Sequence, residues 1–243
     1  MALPVEAPSI SARYRPIIEQ VAACAEPIAR PVTPLAGIRS LAVIPGAYNP
    51  PTKAHLALST AALERAFDAV AFSVGTVTID KPQAGLGLDE RLHLLCEICR
   101  DQPRWGVVLH NRGLYAEQAH ALRRSFPGIE RLVFVVGMDK VAQIFDPRYY
   151  ADLERSLGDL FDRAGLMVAA RGTLDRAALE RLLQHEPARS FARRIEWLEL
   201  GAEVRDVSAT AIRARVARGE PVSEWLPRPV ERYLRGRRAV FTE

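Results

Sequence analysis

Apolar and polar positions along the chain follow two rhythms in turn, so the elements they predict alternate between strand and helix. Short apolar runs bounded by turn residues read as buried strands at 38–44, 69–74, 105–110, 131–136 and 164–170, with a weaker one at 194–198. Between them, apolar residues at three- and four-residue intervals predict helices over 53–67, 89–100 and 115–126. A further helix over 11–30 carries Ile17, Ile18, Val21, Ala22 and Ile28 and gives way to a link through Pro31 and Pro34. The alternation predicts an α/β fold, a doubly wound parallel sheet with helices on both faces and ligands at the carboxyl ends of its strands. Residues 1–37 are an N-terminal helical extension, packed on the main domain or contacting a partner subunit. Residues 38–243 are the domain, closed by a C-terminal helical segment at 201–243. No internal repeat or low-complexity tract is present.

Composition narrows this only slightly. At 243 residues, with 49% apolar and 26% charged residues, the chain is long enough for a sizeable core and reads as an ordinary globular protein. No apolar run approaches the roughly 20 residues needed to span a bilayer, and the N-terminus lacks a signal-peptide apolar segment, so a cytoplasmic location is expected. Cys24, Cys96 and Cys99 make no disulfide framework, and Cys96 and Cys99 fall within a predicted helix, where core packing is the simpler reading. A net charge of +4 permits a nucleic-acid partner without demanding one, and none is expected. Of 33 basic residues only Lys53, Lys81 and Lys140 are lysines, each near a predicted strand end, where a compact ammonium suits a ligand.

The stretch Ile44-Pro-Gly-Ala-Tyr-Asn-Pro-Pro-Thr-Lys-Ala-His55 joins the first strand to the first helix. Gly46 permits close backbone approach, while Pro50 and Pro51 stiffen the turn and remove amide donors. Thr52 is a natural helix cap and His55 lies on the first turn, beside the unpaired amides of a helix N-terminus, a place suited to anions. One further strand end and one further helix start carry chemistry. Gly137-Met-Asp139 offers a turn and a carboxylate that accepts from ribose hydroxyls or caps the next helix. Val207-Ser-Ala-Thr-Ala-Ile-Arg213 offers the hydroxyls of Ser208 and Thr210 and one guanidinium, either a polyphosphate receptor or an ordinary capped helix.

Taken in order, these motifs resemble the nucleotidyltransferase superfamily. Thr52-Lys-Ala-His55 is similar to the Thr form of its (H/T)-x-x-H signature, as in nicotinamide and nicotinate mononucleotide adenylyltransferases, and Val207–Arg213 to their Ile-Ser-Ser-Thr-x-Ile-Arg motif. The resemblance implies a Rossmann-like fold and transfer of AMP from Mg-ATP to a pyridine mononucleotide, with release of pyrophosphate, in NAD biosynthesis. It further implies catalytic roles for Thr52, His55 and Arg213, and ATP contacts from Gly46, Ala47, Tyr48, Asn49, His55, Gly137, Asp139, Arg171, Ser208, Thr210 and Arg213. Lys53, Lys81, Tyr115 and Tyr150 are the expected acceptor-side residues, with Tyr150 stacking on the pyridine ring. Mg²⁺ arrives with ATP, and no metal bound by the protein alone is expected.

Three positions depart from the family pattern: Ala47, Ala116 and Ala209 each stand where a polar residue is common. A phosphopantetheine or cytidylyl-transfer activity, or a nucleotide sensor on the same fold, therefore remains an alternative. Nicotinate and nicotinamide forms of the acceptor, and a homo-oligomeric assembly, are left open.

Overall fold

The predicted strands assemble into one sheet, and its central strands are apolar on both faces. In the computed structural model, which describes residues 9–77, 85–170, 172–201, 205 and 207–241, helix α1 (Ile10–Ala23) and the short strand β1 (Ala29–Pro31) come first. There follow β2 (Ser40–Pro45), α2 (Lys53–Glu64), β3 (Ala69–Gly75), α3 (Leu88–Cys99), β4 (Trp105–His110), α4 (Tyr115–Ser125) and β5 (Arg131–Gly137). The remaining elements are α5 (Met138–Ile144), α6 (Leu153–Arg163), β6 (Gly165–Ala169), α7 (Arg176–Leu182), β7 (Ile195–Leu198), α8 (Ala209–Arg218) and α9 (Arg228–Leu234).

The sheet order is β1-β4-β3-β2-β5-β6-β7, with every pairing parallel except that of β1 with β4. From β2 the chain winds outward through β3 and β4, then returns to place β5 on the other side of β2. That reversal is the topological switch point of a Rossmann-like fold, where a crevice opens beyond the strand ends.

Alternation along each strand divides the core in two. Ala42 and Ile44 of β2 face one layer with Val70, Phe72 and Val74 of β3, against α1, α2, α3, α8 and α9. Leu41 and Val43 face the other, against α4, α5, α6 and α7. The doubly wound sheet and the small C-terminal helical part are thus both present. Cys99 is buried in α3 and Cys96 half-buried beside it. Burial raises the Cys99 thiol to about 12, which leaves it a poor nucleophile.

The region before residue 38 differs in detail from the sequence expectation. Helix α1 stops at Ala23 instead of reaching Arg30, and the chain enters the sheet as edge strand β1. Pro27, which lacks an N–H and whose ring would clash with the Ala23 carbonyl, stops the helix there, and Asn111, just beyond β4 and 3% exposed, holds the chain that follows. Its amide nitrogen donates to the carbonyls of Cys24 (2.7 Å) and Glu26 (2.9 Å), and its amide oxygen accepts from the Ile28 N–H at 2.9 Å. One buried amide from a distant turn captures backbone groups that a continued helix would have paired internally.

Candidate active site

The turn after β2 begins with Gly46, whose N–H donates to the Ser73 carbonyl of β3 at 3.0 Å. Tyr48 follows in the left-handed region (φ 51°), a conformation that a bulky residue holds only when its side chain is fixed. It is fixed here: the ring is 1% exposed, packs edge-on to Phe72 at 5.8 Å, and its hydroxyl donates to the Ile44 carbonyl. Gly46 makes room for it, since a methyl group there would sit 3.0 Å from Tyr48 Cζ. Gly46→Ala is therefore expected to cost about 1–2 kcal/mol through displaced packing, measurable as a lower urea midpoint.

Tyr48 in turn supports His55, their ring centroids 4.8 Å apart. The Thr52 N–H donates to His55 Nδ1 at 3.0 Å, and the Thr52 hydroxyl lies 2.9 Å from the same nitrogen. Because Nδ1 accepts the backbone bond, the neutral ring carries its proton on Nε2, and that nitrogen is a hydrogen-bond donor. Thr52 is 1% exposed, so this lock is shielded from water.

The second motif meets the first here. Ser208 caps α8, and Arg213, half-buried on that helix, donates to the Asn49 carbonyl at 2.7 Å and to the Thr210 hydroxyl at 3.2 Å. A neighbouring chain crossing adds the Lys53 N–H, which donates to the Trp225 carbonyl at 2.9 Å. Lys53 itself is exposed at the first residue of α2.

Across the switch point, Val43 pairs with Phe134. Gly46 and Gly137, each three residues further on, therefore leave the sheet side by side. Asp139 is exposed in the first turn of α5. Nearby, Tyr115 stands edge-on to Phe134 at 5.2 Å. Burial raises its phenol well above the ordinary range, and the negative charges of Asp139 and Tyr150 add to the shift. Burial, with Asp146 second, pushes Tyr150 up to about 12. Asp139 and Tyr150 both lie within electrostatic reach of Tyr115.

The structure brings together Gly46, Ala47, Tyr48, Asn49, Thr52, His55, Thr210 and Arg213, and a second group of Tyr115, Asp139 and Tyr150. Lys81 and Arg171 lie outside the described residues. Lys140, beside Asp139, donates to Gln143 at 3.1 Å on its own helix. Sequence reading overlooked Arg91. It lies on the buried face of α3 with Leu94, Leu95 and Ile98, so an arginine at core spacing was the available signal.

The fold is the Rossmann-like doubly wound sheet. Among solved structures it is similar to the Plasmodium falciparum nicotinic acid mononucleotide adenylyltransferase complexed with APC, with a TM-score of 0.60 and 11% sequence identity. The match covers 84% of this chain and 98% of that chain. No protein-family model matches the sequence, and no curated protein matches it.

Proposed function

We propose that this protein is an adenylyltransferase acting on Mg-ATP and a pyridine mononucleotide in NAD formation. The observation that carries the reading is the bond from Arg213 to the Asn49 carbonyl, which joins two motifs 164 residues apart at the switch point. A site built only for stability has no evident use for that bond beside a locked Thr52–His55 pair. The structural neighbour is itself a nicotinic acid mononucleotide adenylyltransferase, which favours the same reaction class.

In this reaction an oxygen of the mononucleotide phosphate attacks the α-phosphorus of ATP. The bond from that phosphorus to the α,β-bridging oxygen breaks, and pyrophosphate leaves with its Mg²⁺. Catalysis consists of positioning and charge neutralisation, with no covalent intermediate on the protein. His55 donates from Nε2 to a phosphate oxygen, Thr52 holds the ring, and Arg213 faces the β and γ phosphates. Asp139 accepts from the ribose, while Tyr115 and Tyr150 line the acceptor side.

Pyrophosphate release from Mg-ATP, measured across a panel of acceptors, tests this. Both pyridine mononucleotides, phosphopantetheine and phosphorylated alcohols belong in the panel, with CTP as a second donor. Release with a pyridine mononucleotide is the expected result. Silence from protein that binds ATP would favour the nucleotide sensor instead. Because Ala116 stands where a threonine hydroxyl is common, kcat/KM for nicotinate and nicotinamide forms is expected to be similar; a preference of a hundredfold would refute that part.

A further inference from the structure

We infer that Arg91 is a positioning residue for the nucleotide loop and the buried positive charge that a bound polyphosphate balances. The inference rests on the nucleotide-binding reading above. Arg91 is 4% exposed, the only buried guanidinium, ammonium or carboxylate among the described residues. It forms no ion pair there; Asp89 favours its charged form only through space. Desolvation lowers its pKa to about 10, so the group remains charged at neutral pH. A buried charge without a counter-ion is strongly unfavourable, and hydrogen bonds to carbonyls offset that only in part.

What Arg91 touches explains its place. One terminal nitrogen donates to the Ala47 carbonyl at 2.9 Å, and Nε lies 3.3 Å from the Gly87 carbonyl, its second acceptor. The Ala47 carbonyl is thus held by Arg91 and the Asn49 carbonyl by Arg213. Two carbonyl dipoles that would repel a phosphate are each turned to a cation, so a loop fixed in this way presents a more positive face to an anion. The brace extends beyond the loop. The Leu86 N–H donates to Asn49 Oδ1 at 3.0 Å, and at Gly85 a methyl group would fall 2.7 Å from that oxygen. Glu90 accepts from the Gly87 N–H at 2.8 Å and from the Tyr233 hydroxyl at 2.6 Å, which ties the first turn of α3 to α9. Arg91 carries that rigidity from α3 to the loop at residue 47.

Calorimetric titration of the wild type, Arg91→Met and Arg91→Lys with Mg-ATP, and with adenosine as a probe lacking phosphates, tests the assignment. Circular dichroism establishes that each variant is folded. Arg91→Met is expected to weaken Mg-ATP binding about tenfold or more while adenosine affinity stays within about twofold; Arg91→Lys, which keeps the charge but loses the fork, falls between. Should Arg91→Met fail to fold, Arg91→Lys alone decides. A folded variant that binds Mg-ATP as the wild type does overturns the inference, as does equal weakening for both ligands, which marks a general brace. Wild-type protein that binds adenosine as tightly as Mg-ATP, and so gains nothing from the phosphates, refutes it too, and one that binds neither refutes the nucleotide reading itself.

Discussion

His55→Ala is expected to lower kcat for pyrophosphate release about a hundredfold or more, with the protein still folded. The imidazole is oriented from two sides: Nδ1 accepts from the Thr52 N–H at 3.0 Å, and the Tyr48 ring stands 4.8 Å away. Its Nε2 proton is therefore pre-aimed, and a donor that needs no reorganisation contributes most as charge develops on the phosphates. Alanine removes that donor together with the acceptor of the Thr52 N–H, so a modest loss of stability accompanies the loss of rate, but the half-buried side chain leaves no core cavity and the protein is expected to fold. Steady-state kinetics with Mg-ATP and the active acceptor, beside a thermal melt, provide the check. A folded variant with near-normal kcat would remove His55 from the chemistry and the adenylyltransferase reading with it.

The second large effect concerns acid stability. His110, at the carboxyl end of β4, is 6% exposed, and its Nδ1 has no hydrogen-bond partner among the described residues. Burial lowers its pKa from 6.5 to about 4, against a smaller opposing contribution from the Arg112 backbone. Above pH 6.5 the imidazole is neutral in both folded and unfolded chains, and nothing is lost. Between 6.5 and about 4 the unfolded chain takes up a proton that the folded chain does not, so stability falls with pH and levels off below about 4. The full loss is about 3 kcal/mol. Half-buried His93 has its pKa lowered by burial too and steepens the same slope. Urea unfolding of wild type and His110→Gln at pH 7 and pH 4.5 measures the difference. The variant is expected to show a shallower acid slope by the His110 contribution, and an unchanged slope would show that His110 titrates normally in the folded protein.

The sequence is most legible where one physical requirement acts locally. Strands β2 to β6 were visible because parallel strands buried on both faces must be apolar throughout. The turn at 44–55 was visible because glycine, proline, a capping hydroxyl and a histidine fall within a few residues of one another. Less legible were effects that travel far along the chain. The path of the chain after α1 is held by Asn111, and the loop at Ala47 by Arg91 on α3. Neither residue advertises its partner, because a buried amide or guanidinium is recognised by the backbone groups it meets.

By itself, then, the sequence determined the alternation of strands and helices, the capped turn holding Thr52 and His55, and the hydroxyl-guanidinium motif at Ser208–Arg213. Each follows from residues within a turn or two of one another. Only the tertiary structure decided that β1 joins the sheet, that Tyr115, Asp139 and Tyr150 gather on one side, and that two guanidinium groups from different helices hold the carbonyls of one loop. Those arrangements depend on which strand lies beside which. The reversal at β2 and β5 sets that order, and the two-faced burial of the sheet holds it.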